Sequence, residues 1–298
     1  LTVRKLQRDY VDHISRPGGL KSWKSVSSKL DAALQDYMDV PATELTRPNV
    51  KIILKRITNS GKPVMANRTL AAIRSMYNWA IKNDWPCQDE DECEGVLTSN
   101  PCLQIEANRE TPRDHTLTKA ELKRLLKNLP KTSLTDDQRD VLLFTLYTGC
   151  RIGEACQVEW ADIHGDEWLQ PGSKTKNGKA HTVYLMQPVQ DILERHKGGK
   201  YVFDSDTTHH GHIRLDGVEK QLRLSMDKLK VRPHRIHDYR RTFASWMGDS
   251  GIDETVHDRV LNHVITSGVR KTYNTARYNQ PAREAWQKWA AYLQELQS

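Results

Sequence analysis

Along its second half the chain carries Arg151, Lys176, His237, Arg240, His263 and Tyr273, in that order. Two guanidiniums can grip the non-bridging oxygens of a phosphate, and Lys and His can move protons. A phenol can attack phosphorus. The set has the side chains needed to break a phosphodiester without a metal, so no cofactor and no metal are expected.

The local settings sharpen this reading. In Leu146-Tyr-Thr-Gly-Cys-Arg151-Ile-Gly-Glu154 an apolar helix ends, Gly149 permits a tight turn, and a new helix begins near Arg151. The positive end of a helix dipole disfavours Arg, so a cation there points to a bound anion, with Glu154 one turn on to hold the guanidinium. The alternative is an ordinary Arg–Glu surface pair. His237 and Arg240 are three apart on a predicted helix and share one face. Gly172-Ser-Lys-Thr-Lys176-Asn-Gly-Lys179 has one residue too many for a P-loop, and Ala180 replaces its Ser/Thr. It reads as a β-turn projecting a Lys. Lys174 and Lys179 rival Lys176, and Tyr278 rivals Tyr273. His209, His210 and His212 sit among turn-forming residues and read as a loop, not a metal site.

The elements that position these groups follow from periodicity. The first hundred residues read as helices only, over Thr2–Ile14, Trp23–Met38, Asn49–Ile57 and Ala66–Lys82. The last presents Leu70, Ile73, Tyr77, Ala80 and Ile81 as a core stripe. From Asp84 to Asp114, Pro86, the Asp89–Glu92 acidic run, Asn100-Pro101 and Pro112 predict a solvated linker. Capping boxes at Thr118…Glu121 and Thr135…Gln138 open two further helices. Glu167–Leu169 and His181–Leu185 are strand-like, and helices dominate again from Pro188. The tail carries Ala285, Trp286, Trp289, Ala290, Tyr292 and Leu293 at amphipathic spacing, so it must pack somewhere. The predicted fold is mainly α with a small antiparallel β-sheet, in two domains, 1–108 and 109–298.

Charge supports a polyanion partner. The 298 residues carry a net charge of +7, and no acid lies between Glu44 and Asp84, where Arg47, Lys51, Lys55, Arg56, Lys62, Arg68, Arg74 and Lys82 fall. A second basic stretch runs from Lys220 to Arg241. Such clusters are the footprint of nucleic acid, and Lys51, Lys55, Arg68, Arg74 and Arg241 are the candidate contacts. Five Cys without a CxxC pair suit a reducing, cytoplasmic setting. No apolar run is long enough to span a membrane. Leu1 is not an initiator Met, which suggests a piece of something longer.

Five strings together resemble the phage-type tyrosine recombinases, or integrases: Thr148-Gly-Cys-Arg151-Ile-Gly-Glu154, Thr175-Lys176-Asn-Gly-Lys-Ala-His-Thr-Val-Tyr-Leu, His237-Asp-Tyr-Arg240-Arg-Thr-Phe-Ala, Leu261-Asn-His263 and Val269-Arg-Lys-Thr-Tyr273. One departure is Asn262, where the family usually has Gly. The resemblance implies a C-shaped DNA clamp, with a helical core-DNA-binding domain before a catalytic domain of the DNA breaking-rejoining architecture. It implies that Tyr273 forms a 3′-phosphotyrosine, that Arg151 and Arg240 hold the phosphate, and that Lys176 protonates the leaving 5′-oxygen. His237 would accept the Tyr proton, and His263 would hydrogen-bond the phosphate. Family spacing selects Tyr273 over Tyr278 and Lys176 over its neighbours. The implied function is site-specific strand exchange that integrates or excises a mobile element. Its partners would be double-stranded attachment sites, a homotetramer formed on DNA, and DNA-bending accessory proteins. An arm-binding domain would precede Leu1, and the tail helix would be donated to a neighbouring subunit, the alternative being that it packs in its own core. A type IB topoisomerase-like enzyme and a non-catalytic DNA-binding regulator remain alternatives. A requirement for two sites separates the first, and the behaviour of a Tyr273→Phe variant the second.

Overall fold

Four helices build the first part of the chain: α1 (Val3–Ser15), α2 (Trp23–Leu34), α3 (Arg47–Asn59) and α4 (Pro63–Lys82). These come from a computed structural model that describes residues 1–86, 96–111, 113–196, 198–205, 210–263 and 279–297. Leu70, Ile73, Tyr77 and Ala80 of α4 are buried among Leu6, Leu30, Leu34, Val50 and Ile53, the stripe predicted from spacing. Pro63 is the first residue of α4. It is tolerated because the first helical residue needs no donor.

The expected linker is largely not one. Leu97, Cys102 and Ile105 are buried in the same core as α4, and Arg74 donates to the carbonyls of Cys102 (3.2 Å) and Ile105 (3.1 Å). Asn100 donates to the Arg74 carbonyl (3.0 Å) and accepts from the Cys102 amide (2.8 Å). Three apolar residues spaced along a polar stretch lack a helical or strand period, which is why composition alone suggested solvation. The acidic run Asp89–Glu92 lies outside the described residues. The chain separates into two compact units, Leu1–Arg113 and Asp114–Ser298.

The second unit is arranged around α6 (Asp136–Thr148), which follows α5 (Lys119–Asn128). Both helices open with the capping boxes read from Thr118–Glu121 and Thr135–Gln138. Val141, Leu142, Phe144 and Leu146 of α6 are all buried, since a helix apolar on every side has to be central. After the single-turn α7 (Ile152–Ala155) comes a three-stranded antiparallel sheet, β1 (Ile163–His164), β2 (Glu167–Gln170) and β3 (His181–Tyr184), in the order β1-β2-β3. β1 is two residues long and gave no sequence signal. Trp168 pairs with Val183 and Gln170 with His181, so the loop from 171 to 180 closes the β2–β3 hairpin. The remaining helices are α8 (Gln187–Arg195), α9 (Leu215–Leu224), α10 (Met226–Leu229), α11 (His237–Asp249), α12 (Glu254–Val260) and α13 (Asn279–Glu295).

Helix α13 packs within its own unit. Trp286 and Trp289 are fully buried in the core of their own unit. Trp289 Nε1 donates to the Leu146 carbonyl (2.8 Å) and Trp286 Nε1 to that of Thr148 (2.9 Å). These carbonyls belong to the last turn of α6, which the helix itself cannot satisfy. The aromatic face is thus spent within the chain.

Candidate active site

The last turn of α6 leads into Gly149, where the chain reverses at φ 67°. A Cβ at this position would stand 2.5 Å from Phe243 Cδ1, so conformation and packing both require glycine. Arg151 then caps α7. Its amide donates to Glu154 Oε2 (3.0 Å) and its Nη1 to Glu154 Oε1 (2.8 Å), fixing the guanidinium against a carboxylate that is 10% exposed. Because α7 is a single turn, its dipole adds little. The positive charge here is the guanidinium's own.

His237 and Arg240 occupy the first turn of α11. Arg240 is buried, and its Nη1 donates to the Gly149 carbonyl (2.8 Å) while Nη2 donates to that of Leu261. One side chain therefore ties the turn before Arg151 to the turn before His263. A guanidinium has five N–H donors, so two structural bonds do not exhaust it. Burial, and then the charge of Arg151, pull Arg240 down to about 10, which leaves it protonated at neutral pH. The charge of Arg151 acts on Arg240, a mutual repulsion that a bound anion would relieve.

The same field acts on the histidines. Burial, then Arg240 and Arg241, hold His237 below the ordinary imidazole value against the opposing pull of Asp238. His263 is lowered by burial and Arg240, opposed by Asp258, whose Oδ1 is 3.5 Å from its Nδ1. Both are therefore biased to the neutral form, and neutral imidazole is what a proton acceptor requires. A third histidine was missed by motif reading. His181 at the start of β3 is buried, and burial together with Arg259 and Arg240 pulls it down to about 3. Its place in a strand-like string hid its proximity to the arginines.

Lys176 is exposed on the 171–180 loop, without a side-chain partner among the described residues. Its rival Lys174 is engaged otherwise, with Nζ 2.6 Å from Asp162 Oδ2 and 3.1 Å from Glu159 Oε1. Burial opposes that charge, and the bonds to Asp162 and Glu159 outweigh it, so Lys174 is held above its usual value. The structure thus gathers Arg151, His237, Arg240 and His263 about one buried guanidinium, with the Lys176 loop joined to the segment before His263 through Asn177 and Asn262. Tyr273 and Tyr278 lie outside the described residues.

The expected DNA contacts divide. Lys51 and Lys55 are exposed one turn apart on α3. Arg68 is exposed on α4, with Nη2 3.5 Å from Glu110 Oε2. Arg74 is engaged by backbone carbonyls, and Arg241 Nη1 lies 3.8 Å from the buried Asp238. Cys102, Cys150 and Cys156 are buried free thiols that burial pushes up to about 12. His210 and His212 stack on one another, and His209 lies outside the described residues. Among the described residues no cluster suited to a metal ion occurs, and no helix is long and apolar enough to cross a membrane.

Residues 115–280 match the Phage integrase family. The chain belongs to that family. It is 23% identical to prophage integrase IntA of Escherichia coli K12 over 97% of its own length and 66% of the relative's. It is 28% identical to tyrosine recombinase XerA of Pyrococcus furiosus over 51% of its length and 54% of that protein's. The chain thus spans just under two thirds and about half of these curated relatives. Its fold is similar to that of a lambda integrase dimer bound to a COC′ core site, at a TM-score of 0.71 and 17% identity, covering 92% of this chain and 98% of that one. It is also similar to the Tn1549 transposon integrase in complex with transposon right end DNA, at a TM-score of 0.62 and 16% identity, covering 95% and 99%. This integrase-family chain is, as expected, mainly helical with a small antiparallel sheet.

Proposed function

We propose that this chain is a site-specific recombinase that cuts and rejoins DNA through a 3′-phosphotyrosine, integrating or excising a mobile element. Tyr273 Oη attacks phosphorus as its proton passes to neutral His237, and the bond to O5′ breaks as Lys176 supplies that oxygen with a proton. Arg151 and Arg240 carry the charge that builds on the non-bridging oxygens, usually the largest catalytic contribution, and His263 adds a hydrogen bond. One ester replaces another, so no external energy source is needed.

The observation that carries this reading is the placement of Arg240, whose guanidinium joins the turn before Arg151 to the turn before His263. Lys51, Lys55 and Arg68 support a DNA-holding role for residues 1–108, alongside the catalytic role of 109–298. A lambda integrase dimer is known bound to core-site DNA and a tetramer bound to a Holliday junction. Assembly of several copies on double-stranded attachment sites, with DNA-bending accessory proteins, is proposed here by analogy.

The test needs no knowledge of the target. Parent and Tyr273→Phe protein are incubated with supercoiled plasmid in EDTA, quenched with detergent, and assayed for relaxation and covalently bound protein. Activity confined to the parent is expected. Activity in both would move the nucleophile to Tyr278, and silence on nicked ends of the element itself would overturn the reading.

A further inference from the structure

Asn262, the residue standing where relatives usually have glycine, has φ 48°. That left-handed conformation is the one Gly adopts freely and Asn tolerates best among residues with a side chain. The backbone here is thus one that Gly could also adopt, while Asn adds an amide that Gly would not supply. That amide is in use. Asn177 Nδ2 donates to the Asn262 carbonyl (2.8 Å) and to Asn262 Oδ1 (3.0 Å), and Asn262 Nδ2 lies 3.4 Å from Asn177 Oδ1 and 3.5 Å from the Lys179 carbonyl.

On the other side of Lys176 the chain is also pinned. Thr175 is buried, with Oγ1 2.8 Å from the Lys179 carbonyl and 3.0 Å from that of Gly172. A Cβ on Gly172 would lie 2.4 Å from the Gly178 carbonyl, so the loop is folded tightly on itself. Asn177 Oδ1 accepts from the Lys179 amide (3.1 Å) and so serves the loop, while its Nδ2 reaches out of it. Lys176 thus stands exposed between two anchored neighbours, and one of the anchors is the residue before His263.

We infer that the Asn177–Asn262 pair is a positioning device that holds the Lys176 loop against the His263 segment, so that the proton donor is already in place when DNA binds. This rests on the recombinase reading for the role of Lys176, but the clasp itself can be measured without it. The two amides touch no reacting atom; they act through Lys176. A chain with Gly at 262 retains only the bond to the backbone carbonyl, so its loop is held less firmly.

The experiment compares parent, Asn177→Ala and Asn262→Gly in the full chain. Amide hydrogen exchange over residues 172–180 reads the clasp. Asn177→Ala removes three side-chain bonds across the clasp and two within the loop, so exchange should rise about 5–30-fold, and less in Asn262→Gly, which keeps the bond to the backbone carbonyl. Unchanged exchange in Asn177→Ala would overturn the clasp. Cleavage is then measured on a duplex carrying the strongest cut position mapped on plasmid, made with either oxygen or sulfur as the 5′ leaving atom. A thiolate, with a pKa near about 8.5, departs without the proton that an alkoxide needs. Asn177→Ala should slow the oxygen ester about tenfold or more and the sulfur ester less than about twofold. Equal slowing of both would overturn a role through Lys176 and leave the pair merely structural. A parent silent both on plasmid and on nicked ends of the element itself would instead overturn the recombinase reading, whatever the exchange data report.

Discussion

Arg240→Lys separates the two tasks assigned to that guanidinium. In the parent its charged fork donates to two buried carbonyls, those of Gly149 and Leu261, from two branches of one plane. A hydrogen bond from a charged group contributes about 1.5–3 kcal/mol. An ammonium on a flexible stem can replace one of the two at best. The loss is therefore about 1.5–3 kcal/mol, which for a unit of this size lowers Tm by roughly 3–12 °C. Arg151→Lys is the control. Among the described residues the Arg151 side chain is bonded to Glu154 alone, at 2.8 Å through Nη1, and a Lys can keep that pair. Its Tm should fall by less than about 3 °C. Both variants should lose about 10²–10³ in the rate of covalent complex formation, the usual result of removing one donor to a developing anion. The assay is a thermal melt beside detergent-trapped covalent complex on supercoiled plasmid at 25 °C, where both variants remain folded. If Arg240→Lys melted with the parent, the bridging account of Arg240 would be wrong; if it lost no more activity than its unfolded fraction, the phosphate-holding account would be.

Three further outcomes follow from the same geometry. His181 is held at about 3 against an ordinary 6.5, so below pH 6.5 the unfolded chain binds a proton that the folded chain refuses. Stability then falls as pH falls, by about 2 kcal/mol between pH 7.5 and 5, and His181→Gln should flatten that part of a Tm-versus-pH curve; an unaltered slope would contradict this. Gly149→Ala places a Cβ against Phe243 at positive φ and should cost about 1–3 kcal/mol, seen as a lower urea midpoint, whereas a midpoint equal to the parent's would show that the turn can relax. Trp289→Ala should destabilise by about 3–5 kcal/mol and expose the second unit to proteolysis. Were it to weaken only assembly on DNA, the helix would belong to a neighbour after all.

Much of this was legible in the sequence because the signals were local. The capping boxes at Thr118 and Thr135 are set by residues three apart, and the Leu70–Ala80 stripe by a helical period. The apolar run from Val141 marks a buried helix by having no polar face. What stayed hidden depends on contacts between distant residues. Arg240 reads as a phosphate ligand, yet nothing in its string shows that it reaches carbonyls 91 residues back and 21 residues ahead. Asn177 reads as a turn residue, and its partner is 85 positions away. Leu97, Cys102 and Ile105 read as linker because their burial has no period. His181 looks like the start of a strand, which it is. Its electrostatic surroundings come from α11 and α12.

The two indole bonds onto α6 also set an order of events. Trp289 lies 143 residues after the carbonyl it satisfies, and Trp286 lies 138 after its own. At roughly 5–20 residues per second, a ribosome delivers them about 7–30 s after the end of α6 has been made. Through that interval the helix that leads into the Arg151 turn has open carbonyls and an uncovered apolar side. A nascent chain that has passed His263 but not yet α13 therefore has the described cations of the site but not the scaffold that aligns them. On the proposed chemistry, strand cleavage waits until translation has passed α13, and a product truncated before that point should form no covalent complex with plasmid.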